Sequence, residues 1–164
     1  MSTKRHWSAS VALHVSHAAA SHVVATTAEP GHDGAIMPHG PAATDHALRL
    51  VRAMIAAAKA DGRLTDDERE RLLDRIGPAQ FDPDVQDWLQ REFRAKLDIE
   101  AVVEGCCDSK RRAVEIYLAS LMAIDLDAPE EHEWLRRLTG RLGLERRQVD
   151  AIHAKHGAPP LDWG

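Results

Sequence analysis

Aromatic residues make up only 4% of the 164 positions. A core without them must be filled by Ala, Leu, Ile, Val and Met, which suit close-packed helices better than sheets. Cysteine is almost as scarce. The two that occur, Cys106 and Cys107, are neighbours, and adjacent cysteines rarely bond each other, so no disulfide framework is implied. A reducing compartment is the default expectation. No stretch approaches the roughly 20 apolar residues of a membrane span. The best candidate, Trp7 to Ala28, is interrupted by His14, His17 and His22. Lys4 and Arg5 ahead of Val11-Ala12-Leu13 have the order of a signal peptide, but the same histidines break its apolar region. Positive charge is not in excess: the formal net charge is −5, with both signs interspersed. A nucleic-acid footprint, which needs clustered Lys and Arg, is therefore excluded. Also missing are a Gly-rich phosphate loop, a Gly-x-Ser-x-Gly elbow and a His-Glu-x-x-His helix. No residue can be named as a catalyst. Strand alternation and hairpin dipeptides are absent as well.

What remains is helical. Residues 1–43 read as a disordered tail, rich in Ala, Ser, Thr, His, Gly and Pro, too poor in periodic apolar surface to offset its ordering entropy. Seven of the ten histidines lie in the first 46 residues. His14, His17 and His22 fit no fixed metal-site spacing, so they read as compositional bias. From residue 44 to 157 the chain reads as one all-α domain, a compact bundle of about seven helices. The first begins at Thr44 or Asp45 as cap and runs through Leu48, Val51, Met54, Ile55 and Ala58. Its alanines at 53, 56, 57, 58 and 60 thin it, so a neighbour can approach closely. Thr65-Asp66-Asp67-Glu68 is a capping box that starts the second helix, and Gly77-Pro78 ends it. Asp82-Pro83 opens a third, with Val85, Trp88, Leu89 and Phe93 on one face. Asp98 caps a short fourth. The helix from Ser109 to Ile124 is apolar almost all round and belongs at the centre beside the first. Pro129 starts a sixth helix, with Leu135, Leu138 and Leu142 buried. A seventh runs from Glu145 to Lys155 with Val149 and Ile152 inward and His153 partly exposed. Residues 158–164 read as a loose tail.

Two acidic turns stand out. Asp61 follows a buried helix, and Glu68 takes the third position of the next. Asp125 follows another buried helix, and Glu131 takes the corresponding place after Pro129, with Asp127 between. Two such helix pairs could be related by a pseudo-twofold axis. Neither turn is an EF-hand: counted from Asp61 the third position is Arg63 and the twelfth Leu72, and from Asp125 the fifth is Pro129. A divalent-cation site would have to combine Asp61 and Glu68 with Asp125, Asp127 or Glu131. The simpler reading makes Asp61 a turn former, Glu68 half of a capping box and Asp127 a helix cap. Cys106-Cys107 has cationic neighbours but no nearby histidine to act as a base, so it reads as a semi-buried pair. Arg136, Arg137, Arg141, Arg146 and Arg147, interleaved with Glu130, Glu131, Glu133 and Glu145, read as a salt-bridged face.

The phrases Met54-Ile55-Ala56-Ala57-Ala58-Lys59-Ala60-Asp61-Gly62 with Glu68, and Glu115-Ile116-Tyr117-Leu118-Ala119-Ser120-Leu121-Met122-Ala123-Ile124-Asp125, resemble the TerB-like superfamily. They are closest to its YebE-like branch, domain-of-unknown-function family 533. The resemblance covers residues 44–157. It implies an all-helical domain, a link to tellurite resistance, and acidic turns associated with metal binding. YebE-like members carry a hydrophobic, Gly-rich N-terminal segment and an inner-membrane association. Residues 1–43 here are not hydrophobic enough to match that pattern.

The expectation is therefore a non-catalytic helical interaction module with a protein partner. It would be cytoplasmic, at most peripheral to the inner membrane through partners, with no bound cofactor and no nucleic acid. A divalent-metal module built on Asp61, Glu68, Asp125, Asp127 and Glu131 is one alternative. An enzyme using paired carboxylates is the other.

Overall fold

Alanine decides which helices can come closest. The computed structural model describes residues 41–76, 83–106 and 108–164. Seven helices lie within them: α1 (Pro41–Ala58), α2 (Asp66–Ile76), α3 (Pro83–Arg94), α4 (Ile99–Val103), α5 (Lys110–Ala123), α6 (Pro129–Leu142) and α7 (Arg146–His156). No strand occurs among the described residues. The most extensive packing joins α1 to α5. Ala53, Ala56 and Ala57 from α1, and Ala113, Ala119 and Ala123 from α5, are all buried. Without long side chains between them the backbones approach so closely that the buried Ser120 hydroxyl donates to the Ala53 carbonyl across the interface, at 3.3 Å. Such a bond satisfies a polar group that burial would otherwise penalise.

The same contacts set direction. His46 meets Glu115 at 2.6 Å, and Ala53 meets Ser120 further along. The partners ascend both helices together, so α1 and α5 run parallel. Their C-terminal ends, and the acidic turns that follow, therefore lie at the same end of the molecule. A parallel central pair is compatible with a pseudo-twofold relation between α1–α2 and α5–α6 about an axis along the helices. α2 packs back on α1 and buries Leu72 and Ile76, and α6 packs on α5 and buries Trp134, Leu135, Leu138 and Leu142. α4 buries Ile99, Val102 and Val103 after an Asp98 cap, whose carboxylate accepts from the Glu100 and Ala101 amides. α3 is tied to α1 by polar as well as apolar contacts. Arg52 makes a bidentate pair with Glu92 at 2.8 and 3.1 Å and lies over the Trp88 ring, 5.6 Å from its centre.

Several boundaries differ from the sequence reading. α1 already includes Pro41, so residues 41–43 are helical. Thr44 and Asp45 sit inside the helix rather than capping it, and Asp45 instead pairs with Arg49 one turn on. The tail over residues 1–40, the Gly77-Pro78 stop, Asp82 and Cys107 lie outside the described residues. Asp127 does not cap α6; the capping position belongs to Ala128. His153 is not partly exposed. It is 2% exposed and accepts a hydrogen bond from the Tyr117 hydroxyl at 2.8 Å.

The C-terminal segment 158–164, expected to be loose, is seated on α6 and α7. Leu161 is buried, Arg136 donates to the Asp162 carbonyl at 3.0 Å, and the Asp162 amide donates to His132 Nδ1 at 3.1 Å. Its apolar residue and backbone both find partners, which periodicity cannot register in a segment with no period.

If close approach of α1 and α5 organises the bundle, Ala53→Leu should overpack it and lower stability by about 1–3 kcal/mol. Ala154→Leu, at an exposed position of α7, should change it by no more than about 0.5 kcal/mol. Urea unfolding of the two variants checks this.

Candidate functional site

Both turns begin with an aspartate and then bend through a positive φ. In the first, Asp61 is followed by Gly62 at φ 109°, the conformation glycine adopts without penalty. In the second, Asp125 is followed by Leu126 at φ 56°. A leucine there costs about 1–2 kcal/mol, and burial of its side chain, worth about 1.5–3 kcal/mol, offsets it. The turns thus share a positive φ at the matched position, but at different angles and with different side chains.

The five candidate carboxylates are placed as follows. Asp61 is exposed and accepts from the Arg63 amide at 3.4 Å. Glu68 closes the capping box: it accepts from the Thr65 amide at 2.8 Å and hydroxyl at 2.7 Å, and its own amide donates to the Thr65 hydroxyl at 3.3 Å. Glu131 does the corresponding work on α6, accepting from the Asp127 amide at 2.9 Å and the Ala128 amide at 3.3 Å. Asp125 and Asp127 are exposed and lie close enough to Glu131 to raise its proton affinity. Each glutamate serves its own helix start. Among the described residues no three of His, Cys, Asp and Glu come together in a way that could hold a metal ion.

The two capping glutamates differ electrostatically. The Thr65 amide, then its hydroxyl, hold the Glu68 carboxyl below the ordinary carboxylate range. Burial pushes Glu131 above it, and the Ala128 and Asp127 amides only partly counter this, while the charges of Asp127 and Asp125 add to the rise.

At this same end lies a shallow, open groove of about 360 Å³. Ala60 after α1, Leu97 between α3 and α4, and Pro129 and Trp134 of α6 contribute its apolar lining; Glu130, Glu133, Arg136 and Arg137 contribute charge of both signs. Leu97, 39% exposed, is the one large hydrophobic residue exposed among the described residues. Trp134 is 2% exposed, yet its buried indole N–H has no hydrogen-bond partner.

A family model of proteins of unknown function, DUF533, matches residues 3–156. The chain belongs to this family. No curated protein and no solved structure matches it significantly. The DUF533 match spans all seven helices and ends with α7 at His156. It also reaches further toward the N-terminus than the resemblance over 44–157, taking in residues 3–40, which lie outside the described residues. No described helix of this DUF533 chain is long and apolar enough to cross a membrane.

Three features escaped the sequence reading. The groove brings Leu97 against α6, although 37 residues (134 minus 97) separate it from Trp134 in sequence. His46, grouped with the histidine-rich first part of the chain, is a bridge from α1 to α5. It meets Glu115, whose other oxygen accepts from Arg111 at 2.8 Å. The arginine-rich face is salt-bridged as expected, but Arg141 pairs with Glu100 of α4 rather than with a neighbour on its own helix.

The opposite shifts of Glu68 and Glu131 give opposite pH behaviour. Glu68, depressed in the fold, stabilises above its ordinary value of 4.5, and that contribution is lost as pH falls through the lowered value. Glu131, raised in the fold, favours folding below 4.5, and that contribution is lost as pH rises through the raised value. At pH 7, Glu68→Gln should therefore lower stability by about 0.3–1 kcal/mol. Glu131→Gln, which keeps an acceptor and removes the charge, should leave stability unchanged or raise it. Urea unfolding at pH 7 and pH 4 checks both signs.

Proposed function

We propose that the chain is a non-catalytic helical interaction module of TerB-like type, nearest the YebE-like branch. In this reading it acts through protein contacts on the cytoplasmic side, peripheral to the inner membrane, in an envelope or metal (tellurite) stress response. The groove carries the proposal. It joins an exposed leucine, an apolar lining and charges of both signs, the composition of a surface that takes a partner with an apolar anchor and a polar rim. The carboxylates support the same reading, since Glu68 and Glu131 are committed to the ends of α2 and α6.

Affinity capture from the source cell tests this. The wild-type chain should recover a partner under mild conditions, and Leu97→Glu should reduce recovery at least tenfold while leaving the unfolding midpoint within a few degrees. Equal recovery by the variant, or no partner for the wild type, would sink it.

One observation favours a second reading, a divalent-cation module: Asp125 and Asp127 crowd Glu131 closely enough to raise its proton affinity, and a bound cation would relieve that repulsion. A hard cation needs several oxygen ligands, whereas Glu131 already accepts two backbone N–H groups. Calorimetric titration with calcium, manganese and zinc should show no saturable heat at micromolar concentration. Saturable binding abolished by Glu131→Gln would replace the interaction reading with this one.

A further inference from the structure

The segment after α7 is a strap, and its fastening depends on a neutral histidine. His153 bridges the core and the strap. Its Nδ1–H donates to the Pro159 carbonyl, which can only accept, so Nε2 is left to accept the Tyr117 hydroxyl at 2.8 Å. The ring is 2% exposed. Beyond it the strap is held by Leu161, buried at 4% exposure, and by the Asp162 contacts to Arg136 and His132. Trp163 donates to Asp150 at 3.4 Å and lies under the Arg146 guanidinium, 5.2 Å from the ring centre. The family match stops at His156, so the strap lies beyond the matched stretch.

We propose that residues 158–164 form an acid-releasable strap with His153 as its keystone. Protonation would place a positive charge inside the core, a cost that disappears when Pro159 lifts away and the ring meets water. The groups facing His153 do not compensate. The Pro159 carbonyl, which accepts from Nδ1, and then Asp150 on α7 favour the charge, His132 on α6 opposes it, and Tyr117 on α5 offers only a hydroxyl; together they do not offset burial. Burial is the largest influence, and the net effect holds His153 below its ordinary value of 6.5. The sign follows: a histidine depressed in the docked state leaves the strap fully fastened above pH 6.5, and fastening weakens as pH falls below that value.

Arg136 connects the strap to the groove, since it lines the groove while donating to the Asp162 carbonyl. Release of the strap removes this hydrogen bond and leaves the guanidinium paired with Glu133 at 2.7 Å. The strap's response to acid stands whether or not the groove takes a partner.

The test follows the Trp163 indole N–H signal of the full chain by NMR, assigned with Trp163→Phe, between pH 7.5 and pH 4.5. The wild-type signal should move to the position of a solvated tryptophan as pH falls below about 6, while the Trp134 signal stays in place. His153→Gln, which keeps a donor for Pro159 and cannot charge, should shift the release midpoint down by at least one pH unit or abolish it. Leu161→Ala, which weakens the strap without altering the histidine, should shift the midpoint up. A Trp163 signal that stays docked to pH 4.5, that moves only together with Trp134, or that responds in His153→Gln as in the wild type would overturn the proposal. Should His153→Gln fail to fold, an unshifted midpoint in Leu161→Ala would overturn it equally.

Discussion

The close approach of α1 and α5 is the constraint on which the rest of the structure depends. Two helices with alanine along their contact can come near enough for a serine on one to bond a carbonyl on the other. That contact also fixes their relative direction, and parallel direction brings both acidic turns to one end. The groove forms at this end because Ala60 and Pro129, each just past or at a helix boundary, are brought side by side. Larger residues in the α1–α5 interface would separate the helices and move the turns apart, so the site is downstream of small side chains far from it.

The turns illustrate how capping and site chemistry compete for the same residues. A carboxylate at the third position of a helix is drawn to the free amides at the helix start. Glu68 and Glu131 both follow this rule, which removes them from any shared centre. Gly62 and Leu126 both take positive φ, but the leucine must bury its side chain to make that conformation worthwhile. Glu131 is accordingly held in a drier, more crowded place than Glu68, and the two equivalent caps differ in proton affinity.

The seat of the C-terminal segment is governed by burial of polar groups. Tyr117, His153 and the Pro159 carbonyl form one chain of hydrogen bonds that joins the central helix to the last seven residues. Tyr117 and His153 are buried and must find their partners within the protein. Through Arg136 this region meets the groove, so one guanidinium serves both.

Much of this was legible in the sequence. Apolar spacing, the Thr65–Glu68 box, the Asp98 cap and the Pro129 start are local signals with local causes, and they locate the helices. The near-complete apolarity of α5 also named the central helix, and the run of alanines its partner. Local signals stop where the determining contact is distant. Asp127 read as the α6 cap, yet the capping position falls to Ala128, directly before Pro129. His153 read as exposed because a single helix pattern cannot show that Tyr117 lies opposite. The strap has no period at all; only the surface of α6 and α7 gives Leu161 and Trp163 a place to bind. Sequence by itself determined that the chain is helical and where most helices begin and end, since those depend on neighbours a turn apart. Tertiary structure alone decided that the two acidic turns share one end, that their carboxylates stay with their own helices, and that Leu97 faces α6, because each depends on groups brought together only by packing.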